Sequence, residues 1–86
     1  MAQITIYATS SCPFCNMAKN LLAMKGQEYT LIDASKRSVW LEMEQKTGRN
    51  TVPQIFIGNT HIGGFDDLSE AENSGKLDQI IKAESK

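Results

Sequence analysis

The chain has 86 residues, 41% of them hydrophobic and 22% charged, and a formal net charge of -1. That length supports one small domain with a single modest core, expected to span residues 1–86, and is too short for two. Nine basic residues scattered among ten acidic ones form no basic face for a nucleic acid, and no apolar run reaches the length of a membrane span.

The N-terminal Met1-Ala2-Gln3-Ile4 lacks the basic and long apolar regions of a signal peptide, so a cytoplasmic location is expected. Ile4 to Ala8 alternates through β-rich residues and predicts a strand, central in its sheet. Thr9-Ser10-Ser11 ends it, and the only two cysteines follow in Cys12-Pro13-Phe14-Cys15. Pro13 suits a first helical turn, where its missing N–H costs nothing and its φ is already helical. Phe14, Met17, Ala18, Leu21 and Leu22 then repeat at helical spacing, a stripe read as core that ends near Lys25-Gly26. Of these, only Phe14 is expected to reach the cysteines.

Glu28 to Ile32 predicts a second strand, and Asp33 to Ser38 offers turn and cap residues before a helix that runs to Thr47 and stops at Gly48. Strand, helix and strand in that order imply a right-handed parallel crossover. Val52 to Ile57 predicts a third strand with Pro53 at its start, and Gly58-Asn59 a turn into His61-Ile62-Gly63, closing a hairpin. Gly63-Gly64 permits unusual backbone angles. Asp66 and Asp67 are placed to cap the next helix, with Asp67 and Glu70 at the spacing of a capping box, and Gly75 separates it from an amphipathic tail over Lys76 to Ile81.

The cysteine spacing is a redox signal. In a C-x-x-C segment that opens a helix, the first thiol lies over unpaired backbone N–H groups at the positive end of the dipole, which favours thiolate over thiol. Two cysteines so close would staple almost nothing, because the loop they close is tiny; a reducing compartment and a catalytic or metal-binding use fit better. A zinc site needs about four protein ligands, and His61 is the only histidine, so no metal is expected in one chain. His61 reads as a solvated hairpin residue and Trp40 as packing or partly exposed surface. Arg49 suits either a ligand-binding cation or a helix-end charge, Asp66 a cap, and Asp67 a functional carboxylate.

In this order, Cys12-Pro13-Phe14-Cys15, Thr51-Val52-Pro53 and Gly63-Gly64-Phe65-Asp66-Asp67 resemble the motifs of a dithiol glutaredoxin of the small bacterial kind, over essentially the whole chain. The family more often has CPYC where this chain has CPFC. The resemblance implies an α/β thioredoxin fold, a four-stranded mixed sheet of order 2-1-3-4 flanked by helices. It also implies glutathione as co-substrate, Cys12 as nucleophile and Cys15 as resolving cysteine. Pro53 matches the family's cis-proline, through which Val52, beside Thr51, presents its N–H and C=O to the cysteine part of glutathione. Pro13 and Phe14 flank the sulfur. Gly64, Phe65, Asp66 and Asp67 match the segment that receives the γ-glutamyl end, with Asp67 pairing the α-ammonium. Arg49 is placed to meet the glycine carboxylate, with Lys46 to substitute or assist, and Thr9 stands where relatives often have lysine.

Partners implied by the resemblance are glutathione and glutathionylated or disulfide-containing proteins, ribonucleotide reductase and sulfate-assimilation enzymes among them, acted on by a monomer. Two other functions stay open on the residues: a glutathione-ligated iron-sulfur cluster bridging two chains, and a thioredoxin-like hydrogen donor reduced by a flavoprotein reductase.

Overall fold

The computed structural model describes residues 3–85, so the sequence reading of Met1 and Ala2 lies outside the described residues. Four strands and four helices follow in the order β1 (Ile4–Ala8), α1 (Pro13–Met24), β2 (Thr30–Asp33), α2 (Arg37–Thr47), β3 (Gln54–Ile57), β4 (Thr60–Gly63), α3 (Phe65–Asn73) and α4 (Lys76–Glu84). The sheet has the order β2-β1-β3-β4. Ile6 lies opposite Leu31 in the parallel β1–β2 pair and opposite Ile55 in the antiparallel β1–β3 pair.

As expected, β1 is central, and its two faces go to different cores because side chains alternate along a strand. Ile4, Ile6 and Ala8 pack with Ile55, Ile57, and Cys15, Ala18 and Leu22 of α1, Leu68 of α3 and Leu77 of α4. Tyr7 points the other way, against Ala34, which follows β2, and Met43 of α2. Helices therefore cover both faces of the sheet. Lys25, at the end of α1, ties this layer together through Glu72 at 2.9 Å and Asp78 at 2.8 Å.

Several boundaries and orientations differ from the sequence expectation. β2 begins at Thr30 instead of Glu28, and β3 at Gln54 instead of Val52; Pro53, which follows a cis peptide bond, has no N–H to donate to a ladder. The stripe on α1 is only partly core. Cys15, Ala18 and Leu22 are buried, whereas Phe14 is 54% and Met17 45% exposed. A helix lying on a sheet buries one limited stripe, and the line through Cys15 occupies it. The helix after the hairpin starts at Phe65 with Gly64 as its cap. Asp67 is therefore the N3 residue and not the N-cap, and the Asp67–Glu70 box does not form. His61 is half-buried, with its ring 5.0 Å from that of Phe56. The hairpin register sets the two opposite each other, which removes His61 from the solvated role expected of it.

Candidate active site

Thr9-Ser10-Ser11 carries the chain from the end of β1 to Cys12, the N-cap of α1, at extended angles of φ -101° and ψ 109°. Pro13 takes the first helical position and brings no N–H. The Cys15 N–H points back and donates to Cys12 Sγ at 3.2 Å. Sulfur here does what a serine or aspartate oxygen does in an ordinary cap. On its other side, the Cys12 thiol donates to the Val52 carbonyl at 3.6 Å. The protonated sulfur thus has an acceptor and the thiolate has a donor, so both forms are held in one place.

The two cysteines, both free thiols, are unequal. Cys12 is half-buried, while Cys15 is 1% exposed within the core. Burial, and after it the hydrogen bond with Cys12, pushes the Cys15 thiol up to about 11. A buried thiol resists ionisation because the low dielectric penalises the charge, and the pull of Lys19 toward the thiolate is the smaller effect. In the reduced protein, iodoacetamide at pH 7–8 is therefore expected to label Cys12 and spare Cys15. Peptide mass mapping checks this, and labelling of Cys15 should emerge only as pH rises toward 11.

A groove of about 200 Å³ runs from beside Cys12 toward α3. Phe14 and Phe65 form one wall, with ring centroids 6.3 Å apart. Thr51, Val52 and Pro53 line the middle, and Arg49, Gly64, Asp66 and Asp67 the far end. Of the ten residues expected to bind a ligand, nine meet in this one groove, from three separate stretches of chain. Pro13 is the exception: it starts the helix and does not line the groove. The volume is below the roughly 300–1,000 Å³ of sites for drug-sized molecules, which suits a short extended chain lying half in solvent.

The far end carries the groove's charged residues, Arg49, Asp66 and Asp67. Arg49 Nη1 lies 2.8 Å from Asp67 Oδ2, and the same oxygen accepts from the Gly64 N–H at 3.0 Å. Arg49 first, and the Gly64 N–H second, hold the Asp67 carboxyl below its ordinary value. Gly63 makes this possible: at φ 118° a side chain is strained, and a Cβ would lie 2.9 Å from Arg49 Nη1 and against Asp67 Oδ2. Arg49 and Asp67, expected at opposite ends of a tripeptide, thus stand together at one end.

Lys46 is elsewhere, donating to the Tyr7 hydroxyl at 3.2 Å and paired with Glu42 at 3.1 Å, so it gives Arg49 no assistance in the groove. Thr9 opens on a separate recess lined by Arg37 and the partly buried Trp40.

Sequence reasoning passed over Gln54. It is fully buried directly behind Thr51, and the signal for it was a lone amide at the head of the otherwise apolar strand Gln54-Ile55-Phe56-Ile57.

A cysteine pair at the mouth of a helix, on a 2-1-3-4 mixed sheet with helices on both faces, defines a thioredoxin-fold protein of the dithiol kind. The sequence matches the glutaredoxin family over residues 4–62, and the chain belongs to that family; it is a thiol-disulfide oxidoreductase. It is 45% identical to a glutaredoxin of Pseudomonas aeruginosa over 84 residues, 96% of this chain and 100% of the relative. The solution structure of a glutaredoxin from Brucella melitensis superposes with a TM-score of 0.85 at 51% identity, covering 95% of this chain and 90% of that one. The crystal structure of a buckwheat glutaredoxin-glutathione complex gives a TM-score of 0.86 at 30% identity, with 95% and 78% covered. No described helix is long and apolar enough to cross a membrane, and among the described residues no group of three or more His, Cys, Asp or Glu could hold a metal ion.

Proposed function

We propose that the chain is a glutathione-dependent reductase of mixed disulfides and protein disulfides, acting in the cytoplasm as a single domain. The observation that carries this reading is the groove itself, which starts at the Val52 carbonyl beside Cys12 Sγ and ends at the Arg49–Asp67 pair. Glutathione is a short extended chain with a thiol in the middle and a zwitterionic γ-glutamyl end, and each part has a counterpart here. The cysteinyl backbone pairs with Val52. The γ-glutamyl carboxylate meets the N-terminus of α3, where Phe65 and Asp66 present N–H groups without helical partners. The α-ammonium pairs with Asp67. Because Arg49 already touches Asp67, its role is best assigned to the same γ-glutamyl end, where binding exchanges an internal ion pair for two intermolecular contacts. The buckwheat relative, crystallised with glutathione, supports the same ligand.

In the reaction, the Cys12 thiolate attacks the glutathione sulfur of a mixed disulfide. The sulfur-sulfur bond breaks, the other thiol leaves as thiolate and takes a proton, and glutathione stays bonded to Cys12. A second glutathione thiolate then attacks that sulfur, releasing oxidised glutathione and restoring Cys12. For a protein disulfide, Cys12 forms a mixed disulfide with the substrate. Cys15 loses its proton and attacks Cys12, so the protein leaves reduced and Cys12–Cys15 is left oxidised for glutathione to reduce. The test is reduction of the mixed disulfide of glutathione and 2-mercaptoethanol as glutathione is varied. Saturable turnover is expected; equal turnover driven by a flavoprotein reductase without glutathione would overturn the reading.

A further inference from the structure

Gln54 is the only fully buried polar side chain among the described residues, 0% exposed, and the reaction above gives it no part. Its amide nitrogen donates to the Thr51 carbonyl at 3.0 Å and to the Thr51 hydroxyl at 3.2 Å. Its amide oxygen lies 2.8 Å from His61 Nε2. These contacts orient one another. A carbonyl only accepts, so the amide nitrogen must face Thr51; the amide oxygen then faces His61, and Nε2 must carry the ring proton. Burial, and after it the charge of Arg49, lowers His61 below its ordinary value, which keeps the ring in this neutral form at neutral pH.

The consequence falls on the next residue. The Thr51 C=O and the Val52 N–H belong to one planar trans peptide, in which oxygen and hydrogen point in opposite directions. Drawing the Thr51 oxygen inward to Gln54 therefore turns the Val52 N–H outward. Val52 lines the groove, and among the described residues its N–H has no hydrogen-bond partner. A buried amide is costly to leave unpaired, so Gln54 resists any rotation of this peptide that would withdraw the donor.

We propose that Gln54, oriented by His61, is a positioning residue for glutathione recognition: it sets the Thr51–Val52 peptide so that the Val52 N–H faces the groove as a ready donor to the ligand's backbone. The proposal rests on the glutathione-dependent reading above, and its test separates the two. The full chain, as wild type, Gln54→Leu and His61→Leu, is assayed against the mixed disulfide of glutathione and 2-mercaptoethanol, with the mixed disulfide varied at a fixed, saturating concentration of glutathione. The rate of Cys12 alkylation by iodoacetamide serves as a readout that needs no bound glutathione.

Gln54→Leu is expected to raise the KM for the mixed disulfide about fivefold or more, with kcat at saturation and the alkylation rate within about twofold of wild type. His61→Leu, which leaves the amide free to flip, is expected to shift KM in the same direction by a smaller factor. A KM unchanged in both variants overturns the positioning role. So does a fall of alkylation rate and kcat in proportion to the change in KM, which would mean a general loosening of the fold. If Gln54→Leu does not fold, the His61→Leu result decides alone. A wild type that shows no glutathione-dependent turnover of the mixed disulfide sinks the functional reading instead.

Discussion

Cys12→Ser is expected to reduce turnover of every disulfide substrate by at least about 10³-fold, to the uncatalysed background. The hydroxyl accepts the same Cys15 N–H and can donate to the same Val52 carbonyl, so the fold and the groove should persist. What is lost is the sulfur nucleophile and with it the ability to form a disulfide. Cys15→Ser should behave differently. Cys15 is buried and protonated, with its thiol near 11, and takes no part in transferring glutathione to and from Cys12. Reduction of a glutathione mixed disulfide should therefore survive within about threefold, whereas reduction that requires the Cys12–Cys15 disulfide should fall to background. Both substrates assayed on both variants form the check. Retained deglutathionylation by Cys12→Ser would remove the nucleophile from the mechanism.

Asp67→Asn is expected to raise the KM for a glutathione mixed disulfide by about 10- to 150-fold while leaving the alkylation rate of Cys12 near that of wild type. The amide keeps an acceptor for the Gly64 N–H and nearly the same shape, so only the charge is removed. A charge-assisted hydrogen bond contributes about 1.5–3 kcal/mol, which sets that range. The same carboxylate has a predictable pH dependence. Its folded value lies below the ordinary 3.8 because Arg49 and the Gly64 N–H favour the charged form. Its contribution to stability is thus present above about pH 4 and is lost as pH falls through the depressed folded value. Asp67 is partly exposed, so solvent screening keeps that contribution small. The KM effect should accordingly appear undiminished from pH 6 to 8, measured by saturation with the mixed disulfide at each pH.

Much of the fold could be read from local pattern. Ile4 to Ala8 alternates because one face meets α1, α3 and α4 and the other meets α2. Pro13 and Gly48 mark helix ends for backbone reasons that need no tertiary partner; Gly48 takes φ 71°, which a side chain disfavours. The orientation of α1 was less legible. Phe14, Met17 and Leu21 are as apolar as Ala18 and Leu22, and hydrophobic spacing alone cannot say which side of a wide apolar arc meets the sheet. The same holds for Asp67. Its type and its place after Gly63-Gly64 suggested a cap, but whether it is the first residue of the cap or the third depends on where the chain leaves β4.

By itself, the sequence determined that this is a small α/β chain built around a cysteine pair at a helix start. Its resemblance to the dithiol glutaredoxin motifs, not local pattern, marked 49–53 and 64–67 as stretches expected to meet the ligand. Tertiary structure alone decided how those stretches meet. It set Arg49 against Asp67 across 18 residues, placed the Val52 carbonyl on Cys12 across 40, and enclosed Gln54 between Thr51 and His61. Such contacts between distant segments depend on strand register and helix packing, and neither is encoded in the spacing of any one segment.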